Sequence, residues 1–167
     1  VPLKWNHDAD DDTTDATGTL TIASLTATDA TSLTLSGDSA ITITGTADPA
    51  TPVLATLDAS AMSDILTLSG TDFSASGATV TFGSANDIFT VGTMSGADTI
   101  DLSQGGNDRI VYTALAQSDQ ETDTIKGFTS GSDDIDLTGF SVTGSTTGID
   151  TANQFGGVHS TFALASG

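Results

Sequence analysis

Between Gly83 and Leu137 one short pattern keeps returning: a small or amide residue, an aspartate, a spacer and a large apolar residue. It reads Ala85-Asn86-Asp87-Ile88-Phe89, then Gly96-Ala97-Asp98-Thr99-Ile100, then Gly106-Asn107-Asp108-Arg109-Ile110. The aspartates stand 11 and then 10 residues apart, which leaves room for a short strand and a tight turn but not for a helix-containing unit. Gly96, Gly105 and Gly106 allow turn conformations that a Cβ would penalise. The short, rigid Asp carboxylate suits a hard cation such as Ca²⁺, which takes about six to eight oxygens. Phe89, Ile100 and Ile110 are then the inward side chains. Asp87, Asp98 and Asp108, with Gly96, Gly106 and Asn107, are therefore candidate calcium ligands. The competing role for each aspartate is a turn residue that hydrogen-bonds its own backbone.

From Gly18 to Gly92 the chain is built from apolar-Thr-apolar triplets: Leu20-Thr21-Ile22, Leu33-Thr34-Leu35, Ile41-Thr42-Ile43, Leu66-Thr67-Leu68, Val80-Thr81-Phe82 and Phe89-Thr90-Val91. Each puts two apolar side chains on one face and a β-branched polar one on the other, and most end in glycine, so they predict strands. The nearest approach to an amphipathic helix is Thr113 to Gln120. Spacing alone permits a sandwich or a solenoid. Continuity with the glycine-aspartate copies favours an all-β, parallel β-solenoid with short strands and Gly/Asp-rich turns. The expected organisation is an N-terminal arm and acidic linker (1–17), Thr-rich solenoid strands (18–82), a calcium-binding roll (83–140) and a tail (141–167) that caps the solenoid or meets a partner. Ala47 to Pro52 reads as a loop, and the arm Val1 to Asn6 as a strand that docks on its own core or on a neighbouring copy.

Twenty-two acidic residues against three basic ones give a net charge of −19. All the acids but Glu121 are aspartates, a residue at home in turns. Such a chain repels itself without counter-ions, and Lys4, Arg109 and Lys126 cannot form the basic patch that nucleic acid requires. There is no cysteine for a disulfide or thiolate site, and no apolar run long enough for membrane insertion as a helix. His7 and His159 lie near opposite ends outside any nucleophile or metalloprotease motif, so no catalytic constellation is expected. Arg109, beside Asp108, reads as a surface ion pair of small weight. In His7 to Thr17, the residues Asp8, Asp10 and Asp12 have the alternate spacing of a calcium loop, but Thr13 stands where glycine is needed and Thr19 where glutamate is. A solvated acidic linker is the favoured reading there, with an interface calcium site as the alternative.

The Gly-Asn-Asp copies resemble the repeats-in-toxin nonapeptide, Gly-Gly-x-Gly-x-Asp-x-apolar-x, whose coils stack into a parallel β-roll with calcium between turns. Ile110-Val111-Tyr112, Asp123-Thr124-Ile125-Lys126-Gly127-Phe128 and Asp133-Asp134-Ile135-Asp136-Leu137 resemble the end of the calcium-binding C-terminal domain of serralysin-type secreted proteases. Asp123, Asp134 and Asp136 match its acidic positions, while Gly127 replaces the acid before Phe128. Leu57 to Met62 resembles a segment of the β-solenoid surface-layer proteins of Gram-negative bacteria. These resemblances imply Ca²⁺ as the bound ion, type I secretion, an extracellular or cell-surface location and folding switched on by calcium outside the cell. They imply a self-assembling subunit of a surface layer or filament, with further copies of itself and cell-surface polysaccharide as partners. The alternative is a non-catalytic calcium-folding secretion module of a larger exported enzyme or adhesin. The lack of an initiator Met and of an N-terminal secretory signal suits a processed product or an excerpt of a longer chain.

Overall fold

A computed structural model of the chain describes residues 2–6, 19–25, 29–45, 54–74, 76–92, 96–113 and 123–137. The acidic linker, the Ala47 to Pro52 loop, the Thr113 to Gln120 window beyond Thr113 itself, both histidines and the tail lie outside these residues. Among the described residues twelve strands follow one another: β1 (Pro2–Asn6), β2 (Leu20–Ile22), β3 (Ser32–Gly37), β4 (Ile41–Ile43), β5 (Thr56–Met62), β6 (Leu66–Thr71), β7 (Thr79–Thr81), β8 (Ile88–Val91), β9 (Thr99–Asp101), β10 (Arg109–Val111), β11 (Thr124–Lys126) and β12 (Asp134–Asp136).

The odd-numbered strands form one six-stranded sheet, in the order β1-β3-β5-β7-β9-β11, and the even-numbered strands the other, β12-β10-β8-β6-β4-β2. Neighbours in each sheet are parallel, as in Val80 beside Ile100 and Phe89 beside Ile110. Consecutive strands thus alternate between two sheets and each pair closes one coil, which is a parallel β-solenoid and not an antiparallel sandwich. Two copies of the aspartate pattern, not one, complete a coil. The arm β1 joins its own sheet beside β3, so it docks within the chain. The same two sheets run from the Thr-rich segment into the aspartate-rich one.

The register explains the triplets. Leu33, Leu57, Val80 and Ile100 stack along one sheet, Ile43, Leu68, Phe89 and Ile110 along the other, and all are buried. Between the sheets Phe89 meets the Phe73 ring edge-on at 6.1 Å and the Phe82 ring at 5.7 Å, giving the centre of the roll its bulk. One pairing departs from what the sequence suggests. Leu66-Thr67-Leu68 and Phe89-Thr90-Val91 look like matching triplets, yet Leu68 lies beside Phe89, and a bulge between Ser69 and Thr71 brings Thr71 opposite Val91. Gly70, at φ 62°, takes the left-handed conformation in that bulge. The register before the bulge places Leu66, and not Asp64, beside Asp87.

Candidate metal centre

Ahead of each of five strands, β8 to β12, the residue two places before an inward apolar side chain lies just outside the strand, where the chain turns into the sheet. At Asp87, Asp98, Asp108, Asp123 and Asp133 that place holds an aspartate, two residues before Phe89, Ile100, Ile110, Ile125 and Ile135. Because consecutive copies alternate between sheets, the aspartates divide between the two edges of the roll. Asp87, Asp108 and Asp133 stack along the edge that feeds the even strands, and Asp98 and Asp123 along the other.

Each carboxylate reaches back to the coil before it. Asp87 Oδ1 accepts the Leu66 N–H at 2.7 Å, Asp108 Oδ1 the Asp87 N–H at 2.9 Å and Asp133 Oδ1 the Asp108 N–H at 3.0 Å. On the opposite edge Asp98 Oδ1 accepts the Ala78 N–H at 2.6 Å, and Asp123 Oδ1 the Asp98 N–H at 3.1 Å. Asp87 Oδ2 also accepts the Gly83 N–H at 3.1 Å. These bonds satisfy backbone donors that the short strands leave over, and they all run in one direction along the axis. Beside them the Asn86 side-chain oxygen accepts the Asn107 N–H at 2.8 Å, an amide step that runs the opposite way along the axis.

The arrangement brings like charges together. Asp87, Asp98 and Asp108 are buried, and successive coils set such groups roughly 4.8 Å apart along the sheet. Burial, and then the Asp108 charge, push the Asp87 carboxyl up to about 6. Burial, and then Asp133, push Asp108 up as well. Asp108 Oδ2 is buried with no hydrogen-bond partner, a state that a carboxylate tolerates badly unless a cation is near. Gly106, at φ 121°, lies so close to the Ala85 carbonyl that any Cβ would overlap it, and that Cβ would also stand 3.0 Å from Asp108 Oδ1. The Ala85 carbonyl oxygen and an Asp108 carboxylate oxygen thus both lie near Gly106. Across the roll the Tyr112 hydroxyl is pushed up to about 12 by its burial, then by Asp123 and Asp98.

Among the described residues the carboxylates form columns and do not converge as a group of three or more metal-binding side chains. The donor set nonetheless fits calcium, which combines side-chain and main-chain oxygens. The residues that would hold it are Asp87, Asp108 and Asp133 with the Ala85 carbonyl on one edge, and Asp98 and Asp123 on the other. Gly96 and Gly106 shape the turns at positive φ, and Asn107 joins the amide step.

Asp134 and Asp136 lie off the columns. Asp134 is exposed, Asp136 is buried, and both pair with Arg109 of the preceding coil, Asp136 by a hydrogen bond to the guanidinium and Asp134 at 3.8 Å. The partner of Arg109 is thus the next strand and not the adjacent Asp108, because β10 and β12 set Arg109 beside Asp134. Asp101 instead faces out, held below the ordinary carboxylate range first by the Ser103 hydroxyl and then by the Ser103 N–H. Asp8, Asp10 and Asp12 lie outside the described residues. Sequence reasoning missed Asp133; the two-residue interval to Ile135 was the signal for it.

A family model described as the serralysin C-terminal domain of peptidase M10 matches residues 52–165. The chain belongs to the peptidase M10 serralysin C-terminal family. The match begins just before β5 and takes in all five edge aspartates, so the columned half of the roll is the serralysin-type part. No curated protein and no solved structure matches the chain. The serralysin pattern also carries an acid where this chain has Gly127. Here a Cβ at Gly127 would lie 2.5 Å from the Ser103 backbone, at φ +73°, so close approach of β11 to β9 reserves that position for glycine.

Proposed function

We propose that the chain is a calcium-folding, non-catalytic module of a larger exported protein, the serralysin-type domain that accompanies secretion. The observation that carries this reading is the Asp87–Asp108–Asp133 column, in which Asp87 and Asp108 are buried and Asp108 Oδ2 is left without a hydrogen-bond partner. In calcium-poor surroundings the ionised column opposes closure of the coils and the chain stays extended enough for export; in calcium-rich surroundings outside the cell it folds. Calcium, when bound, supplies the positive charge that lets these carboxylates ionise within the fold. The chain's own part is to hold Asp108 against Asp87 by the cross-coil N–H, and to keep the turn at Gly106 free of a side chain. Serralysin-type C-terminal domains occur in type I secreted proteins, which favours an extracellular location and this module reading over a self-assembling surface-layer subunit.

The test is circular dichroism and isothermal titration calorimetry on the purified chain, titrated with calcium and separately with magnesium. Strand signal that appears with calcium, fails to appear with magnesium and disappears on chelation supports the reading. A chain equally folded with chelator present at neutral pH overturns it.

A further inference from the structure

The way each coil satisfies its edge donors changes once along the roll. On the edge that feeds the even strands, the Leu20 N–H donates to the Ala40 carbonyl at 2.9 Å and the Ile41 N–H to the Ile65 carbonyl at 3.0 Å. One coil later the Leu66 N–H donates to the Asp87 carboxylate, and carboxylates take over from there to Asp133. The other edge changes at the same place: the Ala55 N–H donates to the Thr31 carbonyl at 2.9 Å, but the Ala78 N–H to the Asp98 carboxylate. The register gives the reason. Leu20, Ile41 and Leu66 occupy the row that Asp87 and Asp108 continue, and Ala55 and Ala78 the row that Asp98 and Asp123 continue. The earlier coils thus carry apolar side chains where the later ones carry carboxylates.

Burial divides at the same boundary. Among the described residues every buried carboxylate, Asp87, Asp98, Asp108 and Asp136, follows Gly83, whereas most of the buried apolar side chains precede it. Asp38, Asp58, Asp64 and Asp72 of the earlier coils are not buried. Among these residues, then, the coils from β2 to β7 close on apolar rows and a backbone ladder without desolvating a carboxylate. The coils from β8 on bury like charges. In a solenoid each coil touches only its neighbours, so such a difference is not averaged over the length of the roll. The boundary coil also gives the later part a surface to close on. Its Leu66 and Ala78 N–H groups meet the carboxylates of Asp87 and Asp98, and Phe73 and Phe82 receive the Phe89 ring.

We infer that β2 to β7 form a metal-independent part of the roll, which keeps its fold when calcium is withdrawn, and that the calcium-dependent coils from β8 on close upon it as on a template. This rests on the calcium-folding reading of those later coils. It places the start of the switch at Gly83, so that the extended state of the calcium-poor chain begins there. Calcium then adds coils to an edge that already exists, and the costly first coil is formed without it.

The experiment is amide hydrogen exchange on the full chain at neutral pH, once with chelator and once with calcium. With chelator, peptides within 32–43 and 56–71 should exchange about tenfold or more slowly than an unstructured chain, while those within 99–111 and 124–136 exchange as an unstructured chain does. Calcium should then protect the second group and change the first little. Loss of protection in both groups with chelator, and its joint return with calcium, overturns the inference and leaves the calcium-folding reading standing. Equal protection of both groups with chelator overturns the two together. Ile110→Asp, which sets a charge in the core of the later coils, provides a second arm. It should abolish the protection of 99–111 and 124–136 in calcium and leave that of 32–43 and 56–71 unchanged, and a loss that spreads to the earlier peptides overturns the division.

Discussion

Asp108→Asn should stabilise the metal-free protein at neutral pH and blunt its response to calcium, so that the two proteins exchange rank when the ion is added. The amide keeps an oxygen to accept the Asp87 N–H, now 2.9 Å from Oδ1, but removes a buried negative charge that faces Asp87 and Asp133. The size of the effect follows from Asp87, whose displacement from 3.8 to about 6 corresponds to about 3 kcal/mol in favour of the protonated side chain within the fold. Burial comes first among the causes and Asp108 is a smaller one. Relief at Asp87 and the lost burial of Asp108 itself, less the need to partner a new amide N–H, leave roughly 1–2 kcal/mol. For a chain of this size that is about 3–6 °C in Tm. The pH profile is part of the test. Carboxyls raised in the fold contribute stability that is complete below about pH 4 and is lost as the pH rises through about 6. The advantage of the variant should therefore vanish in acid and open between about pH 4 and 6. Calcium at a hundred times its dissociation constant stabilises the unsubstituted chain by about 2.7 kcal/mol, and the variant by distinctly less. Thermal melts with calcium at pH 7, and with chelator at several pH values in enough stabilising osmolyte to fold the metal-free chain, measure all of this. A variant less stable than its parent in chelator at pH 7 would show that the carboxylate serves there as a backbone acceptor alone, and the repulsion argument would fail.

The remaining expectations concern individual contacts. Gly127→Asp restores the acid of the serralysin pattern yet should destabilise by about 2–4 kcal/mol in denaturant titrations, with or without calcium, because the new side chain meets the Ser103 backbone at positive φ; rescue by calcium would show that the position can accept a ligand. Phe89→Ala, which empties the space between Phe73 and Phe82, should lower stability by about 3–5 kcal/mol, and a loss below about 1 kcal/mol would mean that the sheets close over the gap. Arg109→Met should weaken the attachment of β12 by about 1–3 kcal/mol, since it removes the guanidinium from the buried Asp136. Adding Asp136→Leu should recover most of that loss, and failure to recover it would point to packing by the Arg109 stem instead.

Much of this protein follows from the sequence alone. Apolar-Thr-apolar triplets closed by glycine can satisfy burial only as half-buried strands, and a 10-to-11-residue interval between aspartates leaves no room for helices, so an all-β coil with Phe89, Ile100 and Ile110 inward was legible before any coordinates. So were the glycines at 96, 105 and 106 and the aspartates at 87, 98 and 108, because turn geometry and oxygen chemistry are local properties. The sequence could not say which aspartates share an edge, since that depends on which strands are neighbours. Only the pairing shows that Asp87 belongs with Asp108 and Asp133 while Asp98 belongs with Asp123. Nor could local pattern foresee the register that sets Leu66, and not Asp64, beside Asp87, or the strand pairing that gives Asp136 to Arg109. Register is a collective quantity, fixed by how the apolar rows of all the coils interlock, and the charges go where that interlocking carries them.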